Sequence, residues 1–450
     1  MPLHTFVAGV ALTLAVSTAA AEREPYASTY APLPTEELLI TGAIVLTGTG
    51  ERLDGAAVHV VDGRIAAVGS DLDAADAKVV DAEGMWLTPG IIDVHSHLGD
   101  YPSPSIAATA DGNEATDPNT ARVWAEHSVW PQDPQFPLAL AGGVTTLQIL
   151  PGSANLFGGR GVTLKNVPSR TVQGMKFPGA PHSLKMACGE NPERVYGSRN
   201  QAPSTGMGNV AGYRAAWAKA VDYRDKMAAA AEDPEVDPPE RDLTMETLAA
   251  VLDGEILVHN HCYRADEMAI MIDVAREFDY QITAFHHAVE SYKIADRLAE
   301  EGICSAMWAD WWGFKLEAFD AVNQNVALVD QAGACAIVHS DSARGIQHLN
   351  QEAAKAMAAA QRAGMGVDEA HAIRWLTANA AGALGIADET GSIEPGKAAD
   401  LVLWNTNPFS VYARAQQVYI DGYRYYDRGD PERQPLTDFD LRQTAKGMER

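Results

Sequence analysis

The stretch "PGIIDVHSHLGD", residues 89–100, decides how the chain is read. A short apolar run, Ile91 to Val94, leads straight into two histidines one residue apart. Successive side chains of an extended strand point to opposite faces, so His95 and His97 share a face and converge. Two imidazoles placed this way can reach one metal ion. From this stretch alone, two hydrogen-bonded structural histidines at a strand end read the same.

Outward from that stretch, short apolar strands alternate with longer Ala-rich segments of helical period, the pattern of a parallel α/β architecture. Strands are expected at 90–95, 144–150, 162–165, 183–187, 256–261, 281–286, 303–307 and 334–339. Helical period is clear at 263–278 and 349–363, whereas the connections around the third strand are too short for full helices. Eight strands favour a closed (β/α)8 barrel of TIM type over an open doubly wound sheet. The insertions at 101–137 and 191–239 follow strand ends, where they serve as lids or as surface elaboration.

Both flanks of this middle are β-rich. "GAAVHVVDGRIAAVGS" near the start and "AQQVYIDGYRYYDR" near the end pair β-branched or aromatic runs with Gly and Asp turns, and "VDGR" is a hairpin signal. Residues 37–87 and 388–428 are therefore expected to form one small composite β-sandwich domain, with the barrel spanning 88–387 between them.

The 450 residues carry 60 acidic against 34 basic side chains, a formal charge of -26, which excludes nucleic acid and anionic lipid as partners. Residues 1–21 read as a secretory signal without a basic start, cut near Ala20 or Ala21, which places the mature chain in the periplasm or outside the cell. The run is too short for a membrane span, which takes about 20 apolar residues. Cys188, Cys262, Cys304 and Cys335 stand singly and are expected to be mostly buried thiols. A homo-oligomer is compatible with the sequence and not specified by it.

In a barrel, chemistry gathers at the C-terminal ends of the strands. Those ends read "DVHSH", "HSLKMACGEN", "LVHNHCYRADE", "ITAFHHAVE" and "AIVHSDS". His261 lies nearer its strand end than His259 and is the better ligand, with His259 behind it or in the core. Adjacent residues face opposite ways, so only one of His286 and His287 is expected inside, and spacing does not choose. Asp341 can ligate a divalent ion and accept a proton from water, with helix capping as the competing role. Tyr263 and Arg264 are candidates for binding a substrate carboxylate; a solvated helix start explains them equally. His127 and Trp130 sit on the first insertion as weaker candidates for closing over a substrate.

"LTPGIIDVHSHLG", "HSDS" and "GSIEPGKAADLVLWNTNP" together resemble the amidohydrolase superfamily, and the middle is similar to its imidazolonepropionase-like and metallo-dependent hydrolase branches, over roughly residues 38–425. The resemblance implies a distorted barrel beside a composite sandwich. It implies that His95 and His97 are the first-strand metal pair, His261 and His287 the ligands from the fifth and sixth strands, and Asp341 the aspartate that moves the proton of the attacking water. Lys185 matches the lysine that many members carry as a carboxylated bridge between two ions, and Glu190 is the rival bridge. Such donors suit one or two divalent ions, zinc first, with manganese, iron or cobalt as substitutes. The implied activity is hydrolysis of an amide, peptide or cyclic-amide C–N bond in a small molecule. A metal-dependent deaminase and a non-catalytic secreted metal-binding scaffold are the alternatives.

Overall fold

In a computed structural model, residues 26–70 and 72–435 are described; the signal expected at 1–21 lies outside them. The first flank folds as β1 (Leu38–Leu46), β2 (Arg52–Val61), β3 (Arg64–Gly69), β4 (Lys78–Asp81) and β5 (Trp86–Pro89). The middle supplies β6 (Ile91–Ser96), β7 (Val144–Ile149), β8 (Phe157–Lys165), β9 (Ser183–Ala187), β10 (Leu257–Cys262), β11 (Ala284–His287), β12 (Cys304–Met307) and β13 (Ala336–Val338). The last flank adds β14 (Leu401–Trp404), β15 (Ala415–Ile420) and β16 (Tyr423–Asp427).

Strands of both flanks share one sheet, ordered β16-β15-β14-β5-β1-β2-β3 with β4 beside β1. The join is the antiparallel pair β5–β14, in which Pro89 faces Leu401. Two of its hairpins have the same cause. Asp62 and Gly63 between β2 and β3, and Asp421 and Gly422 between β15 and β16, all have positive φ, which suits the Asp-Gly turn whose twist matches the flanking strands. The pairing shows a composite sheet and does not divide it into two facing layers.

Strands β6 to β13 form the second sheet in sequence order. Its ends meet where the Asp341 N–H donates to the His95 carbonyl at 3.0 Å and the Ser340 N–H to Asp93 Oδ1 at 3.1 Å. The barrel is thus nearly closed, and one strand departs from the expected pattern. The third strand, expected at 162–165 as a parallel member, is the end of the longer β8, which runs antiparallel to both β7 and β9. A parallel crossover takes a dozen or more residues, and the link 150–156 cannot supply them, so the chain makes a hairpin instead. Lys165 therefore ends at the composite sheet, 2.8 Å from Asp421 and 3.6 Å from Asp400.

Most of the second insertion is no lid. Helix Gly206–Glu232 starts on a Thr205 cap that accepts from the Gly208 N–H. It buries Tyr213, Trp217 and Ala220 at helical spacing, with the Trp217 ring 5.4 Å from Phe157 and 4.4 Å from Tyr280. The cysteines are not thiols: Cys188 pairs with Cys262 at the ends of β9 and β10, and Cys304, which opens β12, with Cys335 just ahead of β13. Parallel neighbours bring the members of each pair to Cα separations of 5.2 and 4.4 Å, a proximity invisible at sequence separations of 74 and 31. Among the described residues, no helix is long and apolar enough to cross a membrane.

Candidate functional site

Strand β6 is buried along its whole length and delivers His95 into the barrel, while His97 follows just past its end. The His97 Nδ1 lies 2.7 Å from the Leu150 carbonyl, which can only accept, so Nδ1 carries a proton and Nε2 is the atom turned to the cluster. That Nε2 is 3.2 Å from Asp341 Oδ1, and His95 Nε2 is 3.6 Å from the same oxygen. From β11, His287 Nδ1 approaches Asp341 Oδ2 at 3.9 Å. Donor atoms of His95, His97 and Asp341 all lie within 4.8 Å of one another, and so do those of His95, His287 and His339.

The remaining candidates separate. Lys185, on β9, is buried with its Nζ 3.4 Å from His95 Nε2 and 3.0 Å from the Pro151 carbonyl. His261, on β10, lies against His287 with ring centroids 4.6 Å apart, and Asn191 Nδ2 is 3.3 Å from its Nε2. Glu190 opens the helix Glu190–Gly197, where its carboxylate lies 3.9 Å from Lys315. Tyr263 is buried and stacks on His287 at 5.0 Å, with the Lys315 ammonium 3.8 Å above its ring. Arg264 is not poised for a substrate: it immediately precedes the helix Ala265–Phe278, is exposed, and spends its fork on Asp266 at 3.0 and 3.1 Å. His127 is half exposed beside Trp124 and contacts none of these groups.

Several residues escaped the sequence reading. Strand alternation sets His286 against His287 as an either-or choice, yet both reach the interior. His287 and Ala288 have φ of 69° and 42°, so strand alternation ends at His287 and its side chain is no longer bound to the outer face. His286 instead bonds His95 and His259 deeper in the barrel. Asp93 accepts from the His95 N–H at 3.2 Å and from Ser340. Trp308, at the end of β12, stacks on His287 at 4.3 Å. The Trp carried no signal in the sequence because its importance comes only from the stacking.

Electrostatics match a cation site. Burial, then the Lys185 charge, holds His95 well below the usual imidazole value; burial also depresses His261, His286 and His287, and pushes His259 and His339 down to about 3. These rings are neutral at pH 7 and present lone pairs. Burial opposes ionisation of Asp341, but the His97 hydrogen bond and charge, helped by the Lys185 charge, outweigh it and leave its carboxyl below the usual range. Burial brings Lys185 down to about 8. The His287 Nδ1 is buried with no hydrogen-bond partner, which is costly unless something occupies the space it faces.

A profile of the Amidohydrolase family matches residues 86–425. The chain belongs to that family. Among curated relatives of this amidohydrolase, it is 33% identical over 373 residues to the amidohydrolase tasK of Hapsidospora irregularis, covering 78% of this chain and 37% of that protein. The chain thus spans little more than a third of that relative's length. It is 25% identical to an imidazolonepropionase of Mesorhizobium japonicum, covering 77% of this chain and 83% of that one. Among solved structures, an amidohydrolase from Thermotoga maritima superposes with a TM-score of 0.81 at 37% identity, over 87% of this chain and 100% of that one. An adenosine deaminase from Xanthomonas campestris with bound zinc shares the fold at a TM-score of 0.54 and 19% identity, over 92% of this chain and 98% of that one. Members of this family generally act on C–N bonds and bind divalent metals.

Proposed function

We propose that this amidohydrolase cleaves an amide, peptide or cyclic-amide C–N bond of a small molecule at a divalent metal centre, with zinc the favoured ion. The observation that carries the reading is convergence: His95, His97 and Asp341, drawn from the two ends of the barrel sheet, place their donor atoms within 4.8 Å of each other beside the unpartnered Nδ1 of His287. The donor set fits a divalent cation, for neutral imidazoles and one carboxylate are what zinc takes.

His95, His97, Asp341 and His287 would hold the ion, with His261 adjoining. Lys185 is buried within the same group and, if carboxylated, would help to hold a second ion, with Glu190 as the alternative. A divalent ion, when bound, lowers the pKa of water towards about 7 and polarises a scissile carbonyl. Asp341 accepts the proton of the attacking water and returns it to the leaving nitrogen. Its carboxylate is ionised beforehand because His97 stabilises the charge. Tyr263 and Trp308 flank His287 and shield that side from water. The two disulfides support maturation in an oxidising compartment, periplasmic or extracellular.

Metal analysis of the purified chain, coupled to a screen of dipeptides, acylated amino acids and cyclic amides, tests the reading. Turnover that Asp341→Asn lowers at least 100-fold while the fold is kept supports it. Ammonia release from amidines by a one-ion enzyme assigns deamination instead. Metal uptake with no turnover and indifference to Asp341→Asn assigns a scaffold.

A further inference from the structure

Behind the ligand cluster two buried imidazoles that the hydrolytic steps do not use, His259 and His286, form a line that ends on the ligand His95. His259 Nε2 lies 3.1 Å from the Ala383 carbonyl, His259 Nδ1 lies 2.8 Å from His286 Nε2, and His286 Nδ1 lies 2.9 Å from His95 Nδ1. All three rings are buried to 1% exposure or less. The Ala383 carbonyl ends the helix Ala378–Ala383, where no further turn supplies an N–H to claim it.

A carbonyl cannot donate, so the direction of every bond follows from that one anchor. His259 donates from Nε2 to Ala383, which leaves its Nδ1 as an acceptor. His286 must then donate from Nε2, which leaves its own Nδ1 as an acceptor. His95 must in turn donate from Nδ1, and its Nε2 is left bare, facing the donor cluster. Nothing at the His95 Nε2 itself enforces this. Lys185 Nζ at 3.4 Å offers a proton, but Asp341 Oδ1 at 3.6 Å would draw one onto Nε2 and spoil it as a ligand.

We infer that His286 and His259 are positioning residues that fix the tautomer of His95 from the Ala383 carbonyl, so that His95 is pre-set to ligate through Nε2. The inference rests on the metal-centre reading above for its consequence, but its cause can be observed without metal. Direct single bonds from a ligand histidine to a carbonyl do this work at His97. At His95 two further rings relay the same instruction over a distance no single bond spans.

The test combines zinc affinity, by chelator competition on the metal-stripped full chain, with ¹⁵N spectroscopy of the histidine rings in metal-free protein. Wild type is expected to show His95 protonated at Nδ1, the signal being assigned by its loss in His95→Gln. His286→Leu and His259→Leu are each expected to weaken zinc binding about 10-fold or more and to populate the Nε2–H form of His95. His286→Gln is expected to stay within about threefold of wild type, since its amide oxygen can accept from His95 while its amide nitrogen donates to His259. A metal-free wild type with His95 protonated at Nε2 overturns the relay, and so does unchanged zinc affinity in a folded His286→Leu. If His286→Leu does not fold, the wild-type tautomer and the contrast between His259→Leu and His286→Gln still decide. A wild type that takes up no zinc refutes the metal centre separately, while the tautomer measurement still judges the relay.

Discussion

His97 Nε2 stands 3.2 Å from Asp341 Oδ1, joining the side chains that follow the first and the last strand of the barrel sheet. The contact exists only because the ends of the sheet are stitched at the Asp341 N–H and the His95 carbonyl. His97→Ala should therefore remove both a ligand and the partner that keeps Asp341 ionised. Zinc affinity is expected to fall by more than about 10-fold, with the far-ultraviolet dichroism unchanged.

Stability of the metal-stripped protein should depend on pH through two buried groups of opposite sign. Burial raises the Asp93 carboxyl from 3.8 to about 7. The folded chain then holds a proton that the unfolded chain has lost, so this group favours folding below pH 4 and its contribution declines until the pH passes about 7. Lys185, lowered from 10.5 to about 8, gives up its proton earlier when folded. Its contribution is complete above the unfolded value and is lost as the pH falls through about 8. Thermal melts across pH should lose the lower slope in Asp93→Asn and the upper one in Lys185→Met.

Each disulfide should stabilise the fold by restricting the unfolded chain. Loop closure predicts roughly 3–5 kcal/mol for each, the larger share for Cys188–Cys262 with its separation of 74. Thiol titration of the denatured protein should find no free thiols before reduction and all four afterwards. Replacing Cys304 and Cys335 by alanine should lower the Tm without changing zinc stoichiometry. The same change at Cys188 and Cys262 should also weaken metal binding, because Cys262 directly follows His261.

Arg264 and Tyr263 should part company under mutation. With its guanidinium already committed to Asp266 in an exposed pair, Arg264→Ala should change kcat/KM less than about threefold. Tyr263→Ala removes the ring held between His287 and Lys315 and should cost at least about 10-fold.

Much of this arrangement was legible in the sequence because the signals were local. The "VDGR" turn, the alternation that pairs His95 with His97, and the run of strands into His261 and Asp341 each depend on a few neighbouring residues. What escaped depends on three dimensions. The reversal of β8 follows from a link length competing with a strand count. Pairing of the cysteines follows from strand adjacency. The joint use of His286 and His287 follows from a left-handed backbone at a strand end that no pattern announces.

The hairpin that reverses β8 contributes to the centre through main-chain oxygens: the Leu150 carbonyl orients His97 and the Pro151 carbonyl holds Lys185. Main-chain groups come with any residue, so positions 150 and 151 offer these acceptors whatever their side chains, while Asn155 is held by its own bonds to Glu114, Thr120 and Tyr196. The bend cannot change its number of residues, for one insertion or deletion would slide both acceptors off their targets. Homologues should therefore agree here in length even where the side chains at 150 and 151 differ.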